Sequence, residues 1–139
     1  MEDADVRADQ RDIADVLVRY ATGIDRRDWA LFRTCFTDDV VAEYDGIATW
    51  VDVDGITDFM TTAHAHMRHT LHRISNEAIT VHGDTATARS YVDAVLMAAD
   101  GHSGINAIGF YDDDLVRTRD GWRIARRHFT MIHVRTLDA

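Results

Sequence analysis

Proline and lysine are both absent from the 139 residues. Without proline, helix ends have to be set by capping side chains and by glycine. Without lysine, all fifteen positive side chains are arginines, which excludes Schiff-base chemistry on a lysine amine. The arginine bias reads as GC-rich coding in a bacterial source. The single cysteine, Cys35, excludes an internal disulfide. Its place within the apolar pattern "LFRTCF" reads as buried and inert. Long apolar runs are missing too. The longest is "AVLMAA", residues 94–99, far short of the roughly 20 residues a spanning helix needs. The opening "MEDADVRADQ" is acidic and lacks the apolar stretch of a secretory signal. Positive charge is in deficit, 15 basic against 24 acidic residues with a net charge of −9. Such a chain gains no counterion-release affinity for nucleic acid. These absences together predict a soluble cytoplasmic protein with no nucleic-acid or membrane partner.

What is present suffices for a core: 46% apolar and 9% aromatic residues with 28% charged. The length predicts one domain over residues 1–139. From Asp9, a plausible N-cap, Ile13, Val16, Leu17, Tyr20, Ala21 and Ile24 recur at helical intervals. Asp28 can cap a second short helix, "WALFRTCF", with Trp29, Leu31, Phe32 and Phe36 on its apolar side. "VVAEYDGIATWVD" reads as a hairpin around Asp45-Gly46. Asp54 opens a third helix, carrying Ile56, Phe59, Met60 and Ala63 and running to about Arg68. The second half changes period. It reads as two strands joined at "HGDT" and two more joined at Arg119-Asp120-Gly121. Helices followed by an antiparallel meander predict an α+β fold, with helices packed on one face of a curved sheet whose mouth holds a small ligand.

The histidines are concentrated. His64, His66, His69 and His72 make up half of the chain's eight. In a helix, His66, His69 and His72 would lie on one face and could share a metal. In a strand, His69 and His72 point to opposite faces. The residues after Thr70 favour strand, and no carboxylate or cysteine stands at ligand spacing, so no metal is predicted. On that strand His72 shares a face with Thr70, Ile74 and Asn76. It is placed to act as a general base, with His69 turned away. A base of this kind needs an orienting carboxylate. Asp25 in "YATGIDRRDW" ends the first helix, where the helix dipole disfavours acid. It either orients a histidine or caps the turn to the next helix. On the last strand, Trp122, Ile124, Arg126, His128, Thr130 and Ile132 share one face. Arg123, Ala125, Arg127, Phe129, Met131 and His133 share the other. Alternation does not choose the inner one. Arg126 or Arg127 is a candidate anion clamp, or a partner for the acidic run 112–114. No P-loop, dinucleotide-binding glycine motif, nucleophile elbow or EF-hand is present.

"DIADVLVRYATGIDRRDWALFRTCFTDDV", then "HTLHRISN", then "YDDDLVRTRDGWRIARRHF" resemble the SnoaL-like family of the nuclear transport factor 2-like superfamily. The likeness covers nearly the whole chain and includes the family's hexachlorocyclohexane dehydrochlorinase, scytalone dehydratase and bile acid dehydratase branches. It implies a cone-shaped α+β barrel and cofactor-free proton abstraction from a small apolar or polycyclic substrate. His72 would be the base, Asp25 its orienter, and Tyr20 a polarising hydroxyl. Tyr44, Trp50, Arg126 and His128 are expected to contact substrate. The superfamily also implies a homodimer or higher homo-oligomer, and it includes polyketide cyclases and non-catalytic binding or oxygenase small-subunit modules. Fold by itself does not fix the activity.

Overall fold

A computed structural model describes residues 2–138. Three helices, α1 (Glu2–Asp25), α2 (Trp29–Arg33) and α3 (Val53–His64), combine with six strands. The strands are β1 (Phe36–Tyr44), β2 (Ala48–Trp50), β3 (Thr70–His82), β4 (Thr85–Met97), β5 (Gly104–Thr118) and β6 (Gly121–Leu137). They form one curved sheet in the order β2-β1-β6-β5-β4-β3, with β2 and β3 as open edges. Every pairing is antiparallel except β1 with β6. The helices lie in the concave face, the α+β arrangement predicted from the order of elements. The parallel β1–β6 pairing, which joins the hairpin to the meander within the sheet while the chain itself passes between them through α3, was not foreseen.

The core follows the helical stripe read from the sequence: Ile13, Val16, Leu17, Tyr20 and Ile24 of α1 are buried, together with Phe32, Phe36, Ile56, Leu115 and Ile124. Burying such side chains contributes about 1.5–3 kcal/mol each against the ordering entropy. Gly23 lets α2 approach α1, because a Cβ there would lie 2.9 Å from the Phe32 backbone nitrogen. Asp28 caps α2 through the Leu31 N–H (3.0 Å).

Several boundaries differ from expectation. Asp9 lies inside α1 rather than at its cap. Its carboxylate accepts two hydrogen bonds from Arg117 (2.8 Å each) and one from Trp122 (3.2 Å), tying the helix to the β5–β6 turn. α2 stops at Arg33, and Phe36 already belongs to β1. The third helix is capped by Asp52, which accepts from the Gly55 N–H (2.7 Å), not by Asp54. It ends at His64 because the Arg68 N–H and His69 carbonyl already pair with Met97 (2.9 and 3.0 Å).

Two bulges correct the facial assignments. In β3 the register shifts between Ser75 and Ala78, with Asn76 at φ 51°. An Asn side chain tolerates that left-handed backbone. Thr70, His72 and Ile74 therefore face inward, Asn76 is exposed, and Ile79 and Val81 take up the inner face beyond it. In β6 the register shifts at Ala125, where Leu115 pairs with Ile124 but Asp114 pairs with Arg126. The inner face runs Trp122, Ile124, then Arg127, Phe129 and Met131. Each of the two faces expected from strict alternation is thus split by the extra residue.

Candidate active site

Between α1, α3 and the concave sheet lies a cavity of about 250 Å³, lined mainly by apolar side chains including Ile24, Met60, Met67, Val92, Leu96 and Phe129. Five polar side chains line it, the imidazoles of His72 and His64 and the phenols of Tyr20, Tyr44 and Tyr111, with Arg127 immediately behind the tyrosines.

The Asp25 carboxylate ends α1 and reaches across to β3. Oδ1 accepts from His72 Nδ1 (2.7 Å) and from the Thr70 hydroxyl (2.9 Å), and Oδ2 accepts from the His72 backbone N–H (2.8 Å). The side chains of His72 and Asp25 are 8% and 17% exposed. Burial acts to raise the Asp25 carboxyl, but the hydrogen bonds from the His72 ring and backbone and from the Thr70 hydroxyl outweigh that effect. The group is held below the usual carboxylate range. An acid at a helix C-terminus is tolerated because these donors satisfy it and because Arg27 covers the helix end. Arg27 sits at φ 57°, bonds the carbonyls of Ile24 (3.1 Å), Asp25 (3.3 Å) and Arg68 (2.8 Å), and donates to Thr70 Oγ1 (2.8 Å). With Nδ1 directed at a carboxylate, His72 carries its proton there and leaves Nε2 as the basic nitrogen.

Opposite this pair, the Tyr20 and Tyr44 hydroxyls share a hydrogen bond of 2.8 Å. Arg127 lies over the Tyr20 and Tyr111 rings at 4.3 and 3.9 Å and reaches the Tyr44 oxygen at 3.5 Å. Its guanidinium makes a two-point contact with Asp113, Nε to Oδ1 at 2.7 Å and a terminal nitrogen to Oδ2 at 2.9 Å. The two side chains are 1% and 0% exposed. Burial disfavours charge on both. The bidentate contact overcomes it for Arg127, which is held protonated. For Asp113 burial pushes the carboxyl up against the pull of Arg127. The pair is ionised, because a guanidinium does not give up its proton to a carboxylate. Burial likewise raises the phenols of Tyr20 and Tyr44, so both stay protonated.

Other expected contacts fall elsewhere. Trp50 packs against Tyr44 and Phe59 (ring centroids 5.2 and 4.9 Å) and does not line the cavity. Arg126 and His128 are exposed on the convex side of the sheet, contrary to expectation, because the Ala125 bulge turns Arg127 inward in their place. His128 Nε2 pairs with Asp45 Oδ1 at 2.7 Å. His69 is exposed while His72 faces in. Among the described residues no three His, Cys, Asp or Glu side chains gather as a metal-ligand group. Sequence reasoning passed over His64 and left Arg127 as one of two options. His64 was findable, since it continues the α3 stripe of Ile56 and Met60 at four-residue spacing.

The fold and this pocket define a member of the SnoaL-like domain family: the family's profile matches residues 5–128, and the chain belongs to it. Among individual proteins, the chain is similar to Rv2910c, an uncharacterized protein of Mycobacterium tuberculosis. The two are 31% identical over 125 residues, spanning 86% of this chain and 83% of the relative. The crystal structure of a proposed aromatic ring hydroxylase from Novosphingobium aromaticivorans is 30% identical, covers 93% of each chain and superposes with a TM-score of 0.87. LinA, a hexachlorocyclohexane dehydrochlorinase, superposes with a TM-score of 0.89 over 99% of this chain and 95% of its own at 19% identity, a likeness of fold.

Proposed function

We propose that the protein is a cofactor-independent lyase or isomerase, in which His72 removes a proton from carbon of a small, largely apolar substrate and Asp25 orients and stabilises it. The observation that carries the reading is the 2.7 Å contact between Asp25 Oδ1 and His72 Nδ1 at the wall of an apolar cavity. The carboxylate fixes the tautomer and faces the imidazolium that forms when Nε2 takes the proton. The electron pair left on carbon then either expels a leaving group from the adjacent carbon or moves onto a conjugated carbonyl oxygen. Tyr20 is the polarising group for that second site. If Arg127 donates to Tyr44 and Tyr44 to Tyr20, the Tyr20 proton is left to face the leaving group or carbonyl. A positioned base contributes about 10²–10⁴-fold, and placement of the substrate against it in a largely apolar cavity supplies more. The loss of HCl named for LinA is a reaction of this elimination class.

The convex side carries a shallow recess with Tyr91, Ile108, Phe110 and Ile132, and Tyr91 and Ile132 are exposed. This apolar surface supports assembly with further copies of the chain. Among the described residues no helix is long and apolar enough to cross a membrane.

Proton abstraction is tested without knowing the leaving group. In deuterated buffer, 2-tetralone carries activated C–H bonds whose exchange is followed by proton NMR. Exchange above the buffer rate with the native protein, and at the buffer rate with His72→Ala, is expected. Equal exchange by the two proteins contradicts the assignment and favours a binding module.

A further inference from the structure

Of the groups around the cavity, the proposed reaction leaves His64 without a task. His64 is 6% exposed and lines the cavity, its ring centroid 6.4 Å from that of His72. Nδ1 lies 2.8 Å from the Met60 carbonyl oxygen, one helical turn back. A carbonyl only accepts, so Nδ1 carries the hydrogen and Nε2 is left with its lone pair. Nε2 is on the ring edge turned away from the Met60 carbonyl. It is buried and finds no hydrogen-bond partner. Burial, against the opposing pull of that carbonyl, and the nearby charge of Arg27 hold the ring below the usual histidine range, which keeps it neutral. A buried acceptor without a donor is an unusual defect in a native structure. The neighbouring cavity wall is built from Met60, Ala63 and Met67, and flexible thioethers yield to a ligand at little cost.

We propose that His64 Nε2 is the acceptor for a hydroxyl on the substrate, so that the ligands of this cavity are hydroxyl-bearing ring compounds, phenols or alicyclic alcohols, rather than plain hydrocarbons, halocarbons or ethers. The proposal rests on the cavity being the substrate site, as argued above, but not on His72 acting as base. His64 is in this reading a specificity residue. It selects the end of the ligand that sits against α3, while the bond to be broken faces His72.

Three probes of similar shape separate a donor from its absence: 4-ethylphenol, its methyl ether 4-ethylanisole, and ethylbenzene. Binding is measured by titration calorimetry and by ligand-observed NMR. The native protein is expected to bind 4-ethylphenol about tenfold or more tightly than either of the others, because the ether and the hydrocarbon leave Nε2 unpaired. His64→Leu and His64→Phe should abolish the preference. His72→Ala should keep it, so that failure of the proton-abstraction reading and failure of this one are told apart. The nitrogen resonances of the imidazole give a check that needs no variant. His64 should show the Nδ1–H form, and its Nε2 signal should move with 4-ethylphenol and not with 4-ethylanisole. Equal affinities for the three probes, no measurable binding of 4-ethylphenol, a preference that survives in a folded His64→Leu protein, or an Nε2 signal that ignores 4-ethylphenol would each overturn the proposal.

Discussion

Replacing Asp113 with Asn should destabilise the protein severely, even though the residue is outside the proposed dyad. The change keeps the shape of the side chain but removes its charge, and it can turn an amide donor toward a guanidinium that only donates. Arg127 would then be a cation buried to 1% exposure, without the two contacts of 2.7 and 2.9 Å that now neutralise it. Removing one partner of a buried ion pair costs about 3–5 kcal/mol. At roughly 3–5 °C per kcal/mol for a chain of this length, Tm should fall by about 10–25 °C. Removing both charges is a different perturbation. Asp113→Leu with Arg127→Met leaves no orphaned ion, so the double variant should melt well above Asp113→Asn. It should nonetheless lose exchange activity, because the cation behind Tyr20 and Tyr44 is gone. Thermal melts by circular dichroism at pH 7, with 2-tetralone exchange alongside, read both effects. An Asp113→Asn protein that melts within about 2 °C of native would refute the reasoning and show the site to be wet or adaptable.

Asp25 is held below the usual carboxylate range in the folded protein, so its contribution to stability is fully present above the unfolded value and is lost as pH falls through the depressed one. Urea unfolding between neutral and acid pH should therefore show a shallower acid loss for Asp25→Asn than for native protein, and an identical pH slope would contradict the sign. Gly23→Ala gains about 0.5–1 kcal/mol of helix propensity but drives a methyl to 2.9 Å from the Phe32 nitrogen. Net destabilisation of about 1–2 kcal/mol is expected from overpacking, read as a lower urea midpoint, and a raised midpoint would show that α2 moves freely. The Cys35 thiol is fully buried and pushed up by burial to about 11. Iodoacetamide at pH 8 should label it only after unfolding, and labelling of the folded protein within minutes would contradict its burial.

The parts of this architecture that were legible in the sequence are those set by periodicity and by turn chemistry. The α1 stripe from Ile13 to Ile24, the Asp45-Gly46 and Gly83-Asp84 turns and the four long strands follow from side-chain spacing alone. The inward direction of His72 follows from Thr70 opening a strand. What remained hidden depended on tertiary pairing. A bulge changes facial parity without changing composition, so Arg127 could not be separated from Arg126 until β5 supplied its register. Asp9 looked like a cap because its partners, Arg117 and Trp122, lie more than a hundred positions away. The end of α3 was set by Met97, not by any signal near Arg68. Asp25, an acid at a helix C-terminus, was legible as either an orienter of a histidine or a turn cap, and the family resemblance favoured the pairing with His72, since the two residues are 47 positions apart and meet only through tertiary packing.

The central claim is that Asp25 and His72 act as one unit on a carbon-bound proton. It is tested most directly by a double-mutant cycle on 2-tetralone exchange, using Asp25→Asn, His72→Ala and the two combined, each shown by thermal melting to be folded. Residues that work as a unit lose activity non-additively. The account predicts that Asp25→Asn lowers the enzymatic rate by about 10²-fold or more, since the orienting charge is lost from a base worth about 10²–10⁴-fold. It also predicts that the double variant is no slower than His72→Ala alone. A folded Asp25→Asn protein with the native rate, or losses that simply multiply, would contradict it.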